Sequence, residues 1–403
     1  MQCEHFSFAA KLEFVVTRMK TIVLRNSRLV LPDRVETDAS LVIANGQINQ
    51  IAPSILQHMD EEIDLGGGTV LPGFIDVHNH GAVGTDVMDA TASDLSMVSK
   101  YLASQGVTGW LPTTVPASDE NYSRVAQAVD LAISTPGNGA RVLGIHYEGP
   151  FVNEGQCGAL HTNYFKTYSK PSDLEVLKVP ARGTKMITLA PEIVGGVDLV
   201  GELNKQGWVI SIGHTRADMK LLDAVREKGA RHMTHFMNAM TPLHHRSPGP
   251  IGWGLSRDDV TCDIIADGVH LDPEILRLLI RIKGAKNLAL ISDAIAAAGK
   301  GDGEFKIWGE TISVKNGRTS NAAGSIAGSV ISMLDAVRMM KSLGIGDIDL
   351  ARMASLNPAR LLKIDDQCGS IEEGKRADLV ALDNRGKVRL TIIAGEIVYR
   401  ASM

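Results

Sequence analysis

The chain has 403 residues, 44% of them hydrophobic and 22% charged, with a formal net charge of −5. Such a composition belongs to a folded protein with a sizeable core and excludes a disordered chain. The acidic balance argues against a broad nucleic-acid or anionic-membrane footprint, so any anionic ligand must be held by a local site. Cys3, Cys157, Cys262 and Cys368 are scattered with no C-x-x-C, which suggests neither a zinc ribbon nor a disulfide framework.

No segment approaches the ~20 continuous apolar residues of a membrane span. In MQCEHFSFAAKLEFVVTRMK, Lys11 and Glu13 interrupt the apolar run, so no secretory signal is expected and the expected compartment is the cytoplasm. Residues 1–20 read as an N-terminal extension: Met19 directly precedes the strand pattern TIVLRNSRLV, and the first 18 residues are an upstream extension or a start-site artefact. Residues 21–65 are short β-like pieces with a turn signal at Asn45-Gly46. Gly66 to Gly68 precede a strand instead of opening a helix, which makes them a turn and not a phosphate loop.

From residue 70 to 300 a rhythm recurs, in which a short apolar run ends in a polar residue and an amphipathic helix follows. The runs are GFIDVHNH, VTGWLPTT, VLGIHYEG, KMITLAPE, WVISIGHT, HMTHFMNA, CDIIADGVH and NLALISDA. Between them lie helical patterns such as SDLSMVSKYLASQG and ENYSRVAQAVDLAIS. DPEILRLLIRIKG carries its own punctuation, with Asp272 as N-cap, Pro273 in the first turn and Gly284 past the end. After them, GDGEFKIWGETISVKNGRTSNAAG reads as a β excursion from the last βα loop. Residues 368–400 return to β pieces, with turns at Asn384-Arg385-Gly386 and Ala394-Gly395.

Eight βα units predict an α/β fold, a (β/α)8 TIM barrel over residues 71–365 whose strand ends converge on one face. A doubly wound sheet would need a Gly-rich fingerprint that is not found. The flanks, residues 21–70 and 366–403, are expected to meet in one small β-sandwich domain beside the barrel.

The ends of the runs carry the chemistry. In GFIDVHNH, alternation puts Phe74, Asp76, His78 and His80 on one face, and Ile75, Val77 and Asn79 on the other. An H-x-H arises easily by chance, and a lone strand-end histidine is more often a hydrogen-bonded core residue than a ligand. Yet the other runs end in Glu148, His214, His235, His270 and Asp293. Carboxylates and several imidazoles crowded into one barrel mouth need a cation. Imidazoles with a carboxylate favour Zn2+ or Fe2+ over Mg2+. Asp293 is placed to act as general base toward a water activated by that metal.

PGFIDVHNHG, HYEGPF, IGHT, THFMNAM, ADGVH, SDAIAAAG, GSIAGS and GSIEEGKRADLVALD resemble, in order and spacing, the amidohydrolase superfamily, and within it the N-acetylglucosamine-6-phosphate deacetylase family. The resemblance runs from about residue 20 to 400. It implies a metal-dependent hydrolase that removes acetate from an N-acetylated sugar phosphate. By the same resemblance, Glu148, His214 and His235 hold the main divalent metal, Asp293 is the catalytic acid/base, and His161 in GALHTNYF polarises the acetyl carbonyl. Asn238, Ala239 and His270 contact the sugar phosphate, and Arg246 in HHRSPG reaches the phosphate of a neighbouring subunit in a homodimer. His78 and His80 imply capacity for a second metal, with Glu148 as the bridge. Residue chemistry alone reads His244-His245-Arg246 as a solvated loop. Run four ends in Pro191-Glu192, without the lysine that bridges metals in other branches. The N-acetylgalactosamine 6-phosphate epimer, or a cyclic amide, is the alternative substrate. Cys157, between Glu148 and His161, is a substrate-loop contact or mere packing.

Overall fold

Each of the eight apolar runs forms a strand, and all eight lie parallel. The computed structural model describes residues 20–53, 60–135 and 137–402; most of the expected N-terminal extension and Cys3 lie outside the described residues. The barrel strands are Phe74–Asn79, Val107–Thr114, Gly144–Glu148, Thr184–Leu189, Val209–Ile212, His232–Met233, Thr261–Ile265 and Leu288–Ile291, here numbered one to eight. Each pairs in parallel with the next.

The ring closes between strands eight and one through fewer backbone bonds. Asp293 N donates to His78 O at 2.9 Å, and His80 N donates to Ala294 O at 2.7 Å. A buried carboxylate reinforces that seam. Asp76 accepts from Ser292 Oγ at 2.5 Å, Ser292 N at 3.2 Å and Asn79 Nδ2 at 3.1 Å.

Seven of the eight strands are followed by an α-helix whose apolar stripe covers the outside of the ring; strand three departs from the expected βα unit, with only short 3-10 turns before strand four. The helix Pro273–Lys283 ends as its sequence foretells: Asp272 accepts from Glu274 N at 2.8 Å, and Gly284 leaves the helix at φ +67°. Inside the ring, Ile75, Val77, Leu111, Met186, Val209, Ile265 and Ile291 pack with Ala359, Leu362 and Cys368, so the chain segment after the last barrel helix plugs the bottom. Strand one therefore departs from strict alternation. Val77 and His78, adjacent in sequence, both serve the interior, because the pairing with strand two shifts register between Asp76 and Asn79. That irregularity turns the end of strand one across the mouth.

Both chain ends meet in one β-domain. Its strands from the N-terminal flank (Ile22–Val30, Val35–Ala44, Gln47–Ala52, Glu61–Asp64, Thr69–Pro72) and the C-terminal flank (Leu379–Leu382, Val388–Ile393, Glu396–Arg400) join through continuous hydrogen bonding. Ile22–Val30 pairs with Glu61–Asp64 along its first half and with Thr69–Pro72 along its second. The sheet divides there, and it encloses a separate core that includes Leu24, Leu41, Ile63, Leu379 and Ile392. Asn45-Gly46 and Ala394-Gly395 are tight turns with both residues at positive φ. The expected β excursion is a three-stranded sheet, Gly303–Ile307, Glu310–Lys315 and Arg318–Ser320, inserted between strand eight and the helix Met333–Ser342.

Candidate active site

The strand ends bring six side chains into one buried cluster. Glu148 Oε1 lies 2.9 Å from His214 Nε2 and 3.0 Å from His235 Nε2, while Glu148 Oε2 lies 3.3 Å from His80 Nε2. Asp293 Oδ1 stands 3.4 Å from His78 Nε2 and 3.3 Å from His80 Nε2. The two histidines of each pair also approach closely: His78 and His80 Nε2 are 3.0 Å apart, and His214 and His235 Nε2 are 3.2 Å apart. Two ligand groups result, Glu148 with His214 and His235, and His78 with His80 and Asp293.

Tautomers show what this cluster needs. His80 Nδ1 is 3.1 Å from Thr113 O, and His214 Nδ1 is 2.7 Å from Gln156 O. A carbonyl only accepts, so both Nδ1 atoms carry hydrogen and both neutral rings turn a bare Nε2 lone pair inward. Those lone pairs face carboxylate oxygens and other imidazole nitrogens. Only a cation between them makes that arrangement favourable. Ligands about 2.0–2.2 Å from a tetrahedral ion stand roughly 3.3–3.6 Å apart, close to the separations here. The residues present therefore fit a divalent metal. Without one, protons take its place. Burial opposes the charge on His80, but hydrogen bonds to Asp293 and Glu148 outweigh it and raise its pKa to about 10. His235 is likewise raised to about 9, burial again opposing and Glu148 prevailing. Burial also opposes ionisation of Glu148, yet the surrounding histidines hold it well below the usual carboxylate range.

Backbone conformation aims these groups. His214, His235 and Asp293 have φ of +48°, +31° and +49°, a region costly for residues with a side chain. Each stands two residues past the end of its strand, where a left-handed step turns the side chain across the mouth. Asp263 holds one of these steps in place: its carboxylate accepts from the backbone N–H of His235 and lies 3.1 Å from His232 Nε2. Beneath the cluster, His146 bonds Val77 O at 3.0 Å and Thr188 Oγ1 at 2.8 Å. Burial, aided by His78, holds the His146 pKa well below the ordinary value.

The remaining expected residues are placed as follows. His161 is half-buried on the loop after strand three, with Nε2 2.8 Å from Trp308 O. Asn238 is half-buried next to Ala239, and its Nδ2 donates to His235 O at 3.2 Å. Ala239 takes φ +50°, and its carbonyl accepts from Thr215 N. His270 Nδ1 lies 2.7 Å from Asp267 Oδ2. Arg246 is exposed with His244 and His245, bonded only within its loop, and does not join the cluster of its own chain. Cys157 is half-buried on the same loop as His161. Strand four presents Thr188 to the interior, while Lys185 reaches the surface and donates to Gln206 O.

Sequence reasoning gave no role to Asp76, His146, Asp263 and Trp308. For the first three a signal existed, a charged or titratable residue within an otherwise apolar run, which must find a buried partner. Trp308 carried none.

Comparison with known proteins decides the family. The amidohydrolase family model matches residues 69–398. The chain belongs to the amidohydrolase family. It is 35% identical to the N-acetylglucosamine-6-phosphate deacetylase of Bacillus subtilis, over 94% of this chain and 98% of that protein. It is 34% identical to the N-acetylgalactosamine-6-phosphate deacetylase of Escherichia coli O157:H7, over 94% and 99%. Among solved structures, the N-acetylglucosamine-6-phosphate deacetylase of Thermotoga maritima superposes with a TM-score of 0.85 at 34% identity, over 94% of this chain and all of that one. This family member thus carries its buried Glu148, His and Asp293 cluster where strand ends of its barrel converge.

Proposed function

We propose that this amidohydrolase hydrolyses N-acetyl-D-glucosamine 6-phosphate to D-glucosamine 6-phosphate and acetate. The observation that carries this reading is the cluster itself: Glu148, His214 and His235 converge with the His214 Nε2 lone pair turned inward, and Asp293 stands in the same cluster. The relatives' activity supplies the substrate class.

The two groups hold one or two divalent ions, Zn2+ by donor preference, with Fe2+ the next candidate. When bound, such an ion polarises a carbonyl and makes an attacking water more acidic. Asp293 takes the proton of that water and returns it to the leaving amine nitrogen. His161 donates toward the acetyl oxygen as negative charge develops there. Its Nε2–H is engaged by Trp308 O, so the ring nitrogen left to face the substrate is Nδ1. Asn238, Ala239 and His270 bind the sugar phosphate. Arg246, exposed on its loop, completes the phosphate site of the partner in a homodimer, since a phosphate dianion on an acidic protein needs a local cation. The catalytic unit in this reading is the barrel, residues 71–365, working in the cytoplasm.

The Escherichia coli relative favours a second reading on the galacto epimer. Measuring kcat/KM on both epimeric 6-phosphates separates them. The proposal expects the gluco substrate to be preferred, and a preference for the galacto substrate would replace it.

A further inference from the structure

Trp308 stands in a position that the chemistry above does not use. It occupies the tip of the hairpin between Gly303–Ile307 and Glu310–Lys315, with φ +53°, followed by Gly309 at φ +78°. Two left-handed turn residues favour Gly, Asn or Asp, so an indole sits there against local preference. Its surroundings explain why. The Trp308 carbonyl accepts from His161 Nε2 at 2.8 Å. Its ring meets the His80 ring edge-on, with centroids 5.2 Å apart and planes at 80°. Its Nε1 is buried on the side of the Asp86 carboxylate. The hairpin packs on Ile295, Ala296 and Ala297, just past Asp293, and on Ala159, two residues before His161. Trp308 is thus held by packing at the rim, between the group proposed to polarise the acetyl oxygen and a proposed metal ligand.

We propose that the Trp308 indole is the wall against which the acyl methyl group rests, and that it sets the acyl length this enzyme accepts. The inference rests on the deacetylase reading. The carbonyl carbon of the substrate has three substituents. Its oxygen is directed to His161 and the ion. Its nitrogen leads to the sugar, whose phosphate is held on the side of Asn238, Ala239 and His270. The methyl group is left to point away from strands six and seven, toward His80 and Trp308. With its Nε1 turned to Asp86, the indole leaves an apolar ring face, which suits a methyl group and obstructs a longer chain.

The test compares kcat/KM of metal-loaded enzyme on the N-acetyl, N-propionyl and N-butyryl forms of glucosamine 6-phosphate. Trp308→Ala is expected to raise the propionyl-to-acetyl ratio by about 10-fold or more, and Trp308→Phe by less. If Trp308→Ala fails to fold, as judged by melting and metal content, Trp308→Leu takes its place under the same criterion. General damage lowers turnover of all three substrates alike and leaves the ratio fixed; a ratio within about twofold of the unaltered enzyme overturns the wall. Absence of acetate release from the unaltered enzyme would instead overturn the deacetylase reading itself.

Discussion

Asp293 stands where two tasks meet. It is the proposed proton carrier, and its Oδ1 also lies within reach of His78 and His80 as a third ligand. Asp293→Asn is therefore expected to lower kcat by about 10²–10⁴-fold, the usual size of a general acid/base contribution. The ion at Glu148, His214 and His235 should stay, while any ion at His78 and His80 is held less well. Turnover and metal-to-protein ratio, measured on the same preparation, check both halves; near-normal turnover would remove the proton role. At this scale the sequence was legible wherever a clustered side chain closes an apolar run, as Glu148, His214, His235 and Asp293 do. It was not legible where a partner is distant in the chain. Nothing local announces that Asp263 will hold the backbone of His235, or that Trp308 will meet His80 and His161.

At the scale of elements, the strands and their helices were readable because each run is short, apolar and bounded by turn residues. The parity of strand one was not. Its register shift depends on pairing with strand two and on the Asp76 carboxylate holding Ser292 and Asn79. One contact between elements yields a prediction about pH. Arg28, in the first strand of the β-domain, pairs with Asp347 at the start of the helix Asp347–Ala351, and Lys341 lies 3.1 Å from the same carboxylate. Burial pushes the Asp347 pKa up, but Lys341 and Arg28 outweigh it and leave it below the ordinary 3.8. A depressed folded-state pKa stabilises above the unfolded value, and that stability is lost as pH falls through the folded one. Asp347→Asn should therefore cost up to about 1 kcal/mol near neutrality, roughly 1–2 °C in Tm. The gap from the unaltered protein should close as melting is followed below pH 3.8. A gap that persists unchanged into that range would assign the effect to packing, not to charge.

The whole molecule divides its labour between two cores. The barrel carries the cluster at the open end of its strands and is plugged at the other end by Ala359, Leu362 and Cys368. The β-domain gathers both chain ends around an apolar core of its own. This architecture follows from the chain alone, since eight apolar runs, seven of them followed by an α-helix, flanked by β pieces leave few other ways to bury their apolar faces. The account turns on an ion held among four histidines and two carboxylates, two of whose imidazoles, His80 and His214, turn bare Nε2 lone pairs inward. The most direct test strips the protein of metal, confirms by melting that it stays folded, and titrates Zn2+ back while following acetate release from N-acetylglucosamine 6-phosphate. The account predicts no release at the start and a rate that climbs in step with bound metal, with protons given off because raised groups such as His80 and His235 must surrender them. Full-rate release from the stripped, folded protein would contradict it.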